Sequence, residues 1–542
     1  MADLTEDVAA LIRLSVALPL IDPDSKIDFE TREVQSLESI MQVLIDLRDL
    51  SSLEILESWS LIFYVLSGSL PTRDELISLR WGFQQNGTSG ATKAYLRIRK
   101  QNRGSLKVTF VPLEPNSICI DISHTINYPF NTGIQRVVRQ LGAHLVSDPL
   151  INWVTWNENC QTWQLLDRKT VAEKLPFREL GPSDDSLEAK KSRLLSAIIG
   201  AFWHGLFSSY RYLVSNSGRE RTLQASFLMR LVKFFRNRHR NNSIRSNQNT
   251  DEILTPFMLN QTLLIVEPIQ GEMLVKRLLN LPSISKLAVL VYDLLPISNP
   301  EFFAASSIRS FPYFLNLLSA SQNISCISDF TSNQVRKYVS MDTHTKVKSI
   351  LLPLGFTDVP RDTSQYRPLP MFLCVGSIEP RKNHLSILRA AENCWANGFE
   401  FELILAGGQG WSNEEVIEFC ISLRERGRSL KIINDASDPS LLELYSEAFA
   451  FITMPWVEGF GLPLAEAIST GKPTITSDIP SHREFGCVES VFFVAPDDIN
   501  GISNTMAQLL EAKKRDMFVT VTPRPAPSWQ NYAHQLIASI KD

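Results

Sequence analysis

Two glutamates, Glu458 and Glu466, stand on either side of Gly459-Phe460-Gly461-Leu462-Pro463. The apolar run Ala448–Met454 delivers the chain to this glycine loop. Pro463 marks a helix start, because proline is tolerated at the first helical position. Gly459 and Gly461 let backbone approach a ligand closely, and the helix N-terminus offers unpaired N–H groups to an anion. Glu458 enters on the loop and Glu466 on the first or second helical turn, so both can face one cleft. Two carboxylates beside an anion site suit a hydroxyl-rich ligand, a sugar or a ribose, since carboxylates accept paired hydrogen bonds from vicinal hydroxyls. Taken alone, Glu466 also reads as a first-turn glutamate complementing the helix dipole, and the glycines as an ordinary strand-to-helix turn. The combination is the specific signal.

A second group, Val375-Gly376-Ser377-Ile378-Glu379-Pro380-Arg381-Lys382-Asn383-His384, follows an apolar run and opens a helix. Arg381 and Lys382 are adjacent cations at a strand's carboxyl end. They can neutralise charge growing on a departing diphosphate; an isolated pair of this kind is otherwise a solvated surface pair. Two weaker groups lie earlier. Asp121-Ile122-Ser123-His124, then Asn131-Thr132-Gly133-Ile134-Gln135-Arg136, form a strand, a glycine turn and a helix. Val291-Tyr292-Asp293-Leu294-Leu295-Pro296 is another strand end. There Asp293 either orients an acceptor hydroxyl or caps a turn.

The elements that must hold these groups alternate strand and helix. Short apolar runs at Ser117–Ser123, Ile151–Trp156, Thr262–Glu267, Lys286–Leu294 and Ile324–Ile327 have helical stretches between most of them, including Gly133–Leu145. A second series has strands at Met371–Ser377, Phe401–Ala406, Lys431–Asn434, Ala448–Met454, Pro473–Ser477 and Val491–Val494. Such alternation predicts two parallel sheets covered on both faces, and ligands then sit beyond the carboxyl ends of the strands. The predicted organisation is a helical N-terminal extension over 1–110, a first Rossmann-like domain over 111–362 and a second over 363–526. A C-terminal helix follows over 527–542. The polar, Pro-containing stretch 359–370 reads as the linker, and an insertion of about 179–250 interrupts the first domain.

Composition bounds the function class. The 542 residues carry a net charge of −4, so no global basic field is present to hold nucleic acid. The seven cysteines are scattered, with no zinc or redox spacing, which predicts a reducing compartment. The acidic Met1–Asp7 lacks a signal peptide's basic region, and no uncharged apolar stretch is long enough to span a bilayer. A cytoplasmic location is expected, and the sequons at Asn86, Asn260 and Asn323 are then chance matches.

Taken together, the motifs resemble those of the family 4 retaining glycosyltransferases. Glu458 to Glu466 resembles their paired-glutamate signature, Gly376 to His384 their Val-Gly-x-x-x-x-Arg-Lys-Asn segment, Val291 to Pro296 their His-Asp-Leu-x-Pro segment, and Ser328-Asp329-Phe330-Thr331 their Ser-Glu-Phe-Thr. Asn131 to Arg136 is similar to the Thr-Gly-Ile-Gln-Arg stretch of a bacterial subgroup associated with O-antigen and related polysaccharides. The likeness covers about Ser117 to Ile540 outside the insertion. It implies the α/β fold called GT-B, two doubly wound parallel-sheet domains facing across a cleft, the first assigned to the acceptor and the second to the nucleotide sugar. It also implies metal-independent transfer of a hexosyl group, mannosyl or related, with retention, from a GDP- or UDP-linked sugar to a glycan or lipid-linked glycan.

By residue, the resemblance implies that Arg381 and Lys382 hold the diphosphate and Glu466 the ribose. Glu458 would bind the donor sugar and steady its oxocarbenium-like charge. Gly133 would let a first-domain loop approach the phosphates, beside Gly376, Gly459, Phe460, Gly461 and Leu462. Base contacts are expected near Asn434. No metal and no cofactor other than the donor is implied.

Two departures stand out: Tyr292 occupies a family histidine position, leaving Asp293 alone there, and Pro455-Trp456 replaces Pro-Ser, with little consequence expected. The lost histidine keeps one alternative in view, a catalytically inactive nucleotide- or sugar-binding subunit of a polysaccharide-synthesis complex. The basic, amphipathic stretch at about 226–240 offers peripheral contact with an anionic membrane, or docks as an ordinary helix on the first domain.

Overall fold

A computed structural model describes residues 10, 13, 14, 17, 36–47, 56–102, 107–127, 132–158, 161–175, 252–258, 260–269, 271–281, 285–353, 362–434, 438–486, 488–515 and 528–541. The insertion 179–250, with its basic stretch 226–240, lies outside them, as does Asn131.

The first sheet has seven strands in the order Thr162–Leu166, Ile151–Asn157, Ile118–Asp121, Thr262–Ile265, Lys286–Val291, Asn323–Cys326, Lys346–Ser349. Every pairing is parallel except the hairpin Ile151–Asn157 with Thr162–Leu166, in which Trp156 faces Trp163. Its strands are covered on both faces, which explains their continuous apolar runs. Ile118 and Ile120 enter one core while Cys119, between them, enters the other.

The second sheet has six strands, all parallel, in the order Leu430–Ile433, Glu402–Ala406, Met371–Val375, Ala450–Thr453, Thr474–Ser477, Val491–Val494. The strand order turns back on itself between Met371–Val375 and Ala450–Thr453. In the first sheet it turns back between Ile118–Asp121 and Thr262–Ile265. Loops leaving such strands splay apart and open a crevice. Arg381, Lys382 and Glu458 all follow the reversal strands of the second sheet.

The N-terminal extension is helical at Leu37–Asp46, Leu56–Ser67 and Arg73–Asn102, the last broken at Asn86–Gly87. It does not end as a helix at 110, because Lys107–Pro112 is already a strand. These helices cover one face of the first sheet. The Tyr64 ring stacks on Phe257 at 5.2 Å, and its hydroxyl accepts from the Met258 amide at 2.8 Å.

The two sheets share a core. Phe460, Leu464, Ala465 and Ile468 of the second domain pack in one cluster with Ile120, Val137 and Leu290 of the first. The C-terminal helix Trp529–Lys541 adds Tyr532, Leu536 and Ile540 to that cluster, and its Ser539 hydroxyl lies 3.1 Å from that of Ser325. Glu484 accepts from the amides of Asp329, at 3.0 Å, and Phe330, capping a first-domain helix from the second domain. Among the described residues no helix is long and apolar enough to cross a membrane. The described cysteines, Cys119, Cys326, Cys374, Cys394 and Cys420, are buried and free.

Candidate active site

The strand Met371–Val375 runs into Gly376, whose φ of +144° sets the chain towards the crevice, and a 3-10 turn Pro380–Lys382 follows. Asn383, at φ +55°, closes that turn and ties it down by donating to the Pro496 carbonyl at 2.7 Å. The helix His384–Ala396 then begins, so Arg381 and Lys382 sit on a short, pinned turn ahead of it.

The facing loop is equally constrained. The Trp456 amide donates to the Arg381 carbonyl at 2.8 Å, which fixes the spacing of the two loops. Gly459 passes over the end of the first-domain strand Lys286–Val291, and a Cβ there would lie 2.2 Å from the Tyr292 carbonyl oxygen. The Gly459 carbonyl accepts from the hydroxyls of Ser328, at 2.5 Å, and Thr331, at 3.3 Å. Gly461 has φ +99° and caps the helix Leu462–Ser469, which starts one residue before Pro463.

These loops bring the charges together. Lys382 donates to Oε1 of Glu458, Arg381 lies 3.7 Å from the same oxygen, and Arg381 also pairs with Glu379 at 2.7 Å. Burial alone would raise the Glu458 carboxyl, but Lys382, Arg381 and His482 outweigh it and bring it down to about 2. Burial opposes the Arg381 charge, yet Glu379, Glu458 and Asp293 hold its pKa above the ordinary value. Asp293 is shifted up, by burial first, against the pull of Arg381. It accepts from the Leu295 amide at 3.1 Å, so it both caps a turn and stands beside the cations.

Glu466 is on the same crevice, away from that cluster. It is 2% exposed. Its Oε1 pairs with Arg136 of the first domain at 2.5 Å, and its Oε2 accepts from the Tyr445 hydroxyl at 2.5 Å. Gly133, three residues before Arg136, faces Leu462, and a Cβ there would lie 3.2 Å from Leu462 Cδ1. Phe460 turns inward onto Phe485, with ring centroids 5.0 Å apart, and supports the loop from beneath. Asn434 is exposed at the carboxyl end of Leu430–Ile433.

Several residues were not singled out from sequence. His482 is wholly buried, and burial lowers its pKa to about 4, so it is neutral. Its Nδ1 pairs with the Thr476 hydroxyl at 2.8 Å, and its Nε2 comes within 2.7 Å of a Cβ placed on Gly461. Glu267 closes the first sheet's reversal point, accepting from the His124 and Thr125 amides at 2.7 Å each. Burial pushes it up to about 7. Trp456, expected to matter little, is 37% exposed and stacks parallel to Phe302 of the first domain at 6.4 Å. Tyr292 is buried and donates to the Val266 carbonyl at 2.9 Å.

The geometry can neutralise an anion with two cations, accept hydroxyls at two carboxylates, and present backbone at close range through Gly376 and Gly459. The family model described as glycosyl transferases group 1 matches residues 358–520. The serotype-specific mannosyltransferase WbdA of Escherichia coli is 30% identical over 229 residues, 39% of this chain and 28% of that protein. The O-antigen chain mannosyltransferase B of Escherichia coli is 26% identical over 268 residues, 46% of this chain and 68% of that protein. The chain thus spans under a third of the length of the first of these relatives. The solved sucrose-phosphate synthase of Thermosynechococcus elongatus aligns with 78% of this chain and 94% of its own, with 14% identity and a TM-score of 0.45. Residues 358–520, which build the second sheet and its glycine loop, are thus similar to the group 1 glycosyl transferases.

Proposed function

We propose that this chain transfers a hexosyl group, mannosyl in the favoured case, from a nucleoside-diphosphate sugar to a glycan or lipid-linked glycan acceptor in surface polysaccharide synthesis. The observation that carries the reading is Glu458, buried and kept ionised between Lys382 and Arg381 at the reversal point of the second sheet. Two relatives named as mannosyltransferases, one of them of the O-antigen chain, support the choice of sugar and acceptor class.

In this reading the donor diphosphate draws Arg381 and Lys382 away from their carboxylates. The two cations then stabilise the charge that grows as the sugar–phosphate bond breaks. Such preorganised electrostatics are commonly the largest part of a rate enhancement, and here they stand where a metal ion would otherwise be needed. Glu458 faces the positive charge developing at the anomeric carbon and accepts from sugar hydroxyls. Glu466 accepts from the ribose, and Asn434 lies near the base. Asp293 orients the acceptor hydroxyl, which attacks from the face the diphosphate leaves and passes its proton to the departing phosphate oxygen, so the anomeric configuration is retained without a protein nucleophile. The reaction takes place on the cytoplasmic side, with contact to the membrane's inner face where the acceptor is lipid-linked.

The test is a transfer assay. The full chain is incubated with GDP-mannose, and in parallel with UDP-linked hexoses, and a mannose-terminated oligosaccharide. NMR reads the linkage formed. Expected are elongation with retained configuration, the same rate in a chelator, and a loss of roughly 100-fold or more in Glu458→Gln. Folded protein that elongates nothing with any donor overturns the reading.

A further inference from the structure

Both oxygens of Glu466 are occupied in this structure, one by Arg136 and the other by Tyr445. Each oxygen keeps one further lone pair, so two vicinal ribose hydroxyls would have to share the carboxylate with the Arg136 guanidinium and the Tyr445 hydroxyl. Tyr445 belongs to the same domain and is fully buried, so it is part of the fixed wall. Arg136 differs on both counts. It comes from the first turn of the helix Gly133–Leu145 in the other domain, and 27% of its side chain is exposed while Glu466 is closed in.

We propose that Arg136 is a third cation for the donor's diphosphate, stored on Glu466 until the donor arrives. The inference rests on the donor class proposed above. Two features support the exchange. Arg136 sits one turn from Gly133, which faces Leu462 of the glycine loop, a Cβ there lying 3.2 Å from Leu462 Cδ1. Its helix also presents its N-terminal amides on that side, which favours an anion there.

The exchange is balanced only by a complete ligand. Ribose hydroxyls replace the guanidinium on Glu466, and the diphosphate receives the guanidinium. A nucleoside lacking phosphates offers the first half alone. It must break a close charge-assisted pair and supplies no anion of its own in exchange. The free chain is thus biased against nucleosides and towards diphosphates, beyond what Arg381 and Lys382 alone provide.

The test measures dissociation constants by calorimetry for GDP against guanosine, and for UDP against uridine, in the full chain and in Arg136→Met and Arg136→Lys. Loss of Arg136 should weaken the diphosphate by about 10–100-fold, the worth of a charge-assisted contact. It should leave the nucleoside unchanged or several-fold tighter. Arg136→Lys keeps a point charge without the planar fork and should fall between. If Arg136 is only a structural brace, both ligands weaken together in either variant, and the inference is overturned. If the wild-type chain binds none of the four, the donor reading fails first and this inference with it. Should Arg136→Met fail to fold, Arg136→Lys alone decides, through the ratio of diphosphate to nucleoside affinity.

Discussion

Lys382 donates to Oε1 of Glu458 across 76 residues of sequence, and the two side chains leave neighbouring strands of the second sheet. Neither residue is stable in its place without the other. Removing one partner of a buried pair typically costs about 3–5 kcal/mol, because the remaining charge is stranded. Lys382→Met should therefore lower stability strongly, Arg381 at 3.7 Å being too distant to compensate fully. Adding Glu458→Gln should recover part of the loss. Chemical denaturation of the wild type, both single variants and the double variant measures this directly. Additive losses would show that the pair is not coupled.

The pH dependence of stability should carry two opposite contributions. Glu458 falls from the ordinary 4.5 to about 2 on folding. The unfolded chain binds the proton first, so this contribution is complete above 4.5 and is lost as pH drops towards 2. Glu267 rises from 4.5 to about 7, so the folded chain holds its proton longer, and its contribution is lost as pH rises from 4.5 through 7. Unfolding midpoints measured from pH 3 to 8 should show both slopes. Glu458→Gln should flatten the acid one only.

Gly459→Ala should disable the crevice. The added methyl would sit 2.2 Å from the Tyr292 carbonyl oxygen and 3.0 Å from Asp293 Cβ, both on a buried strand end that has no room to move. The loop must lift, breaking the bonds from Ser328 and Thr331 and displacing Glu458. A stability loss of about 1–3 kcal/mol is expected, with a larger proportional loss of donor affinity. Thermal unfolding and nucleotide titration check the two separately.

Tyr292→Phe should do little to transfer. The hydroxyl serves a buried backbone carbonyl at Val266, and its loss should cost about 1 kcal/mol in stability. An unchanged kcat, with a slightly lowered melting point, is the expected result. A large fall in kcat would assign Tyr292 the chemistry of the histidine it stands in for.

Much of this arrangement was legible from residue pattern. Strand ends, helix Gly133–Leu145 and the glycine loop follow from apolar runs, glycine and proline, which act locally. What sequence left hidden is pairwise and distant. Arg136 and Glu466 meet only because two domains share a core, and nothing near either residue names the other. The hairpin Thr162–Leu166 was missed because its strand is short and half polar. His482 lies in an ordinary-looking turn, and only its burial against Gly461 distinguishes it. Glu379 stood in view beside Arg381, but its pairing depends on the 3-10 turn that bends it back.

The central claim is that these loops bind a nucleoside diphosphate, and thermal unfolding with GDP, UDP, dTDP and ADP tests it most directly. A ligand that binds only the folded chain raises its midpoint. One of the four should do so in the wild type and fail to do so in Glu466→Ala. If none shifts well-folded wild-type protein, or if the shift survives intact in Glu466→Ala, the account of this site is contradicted.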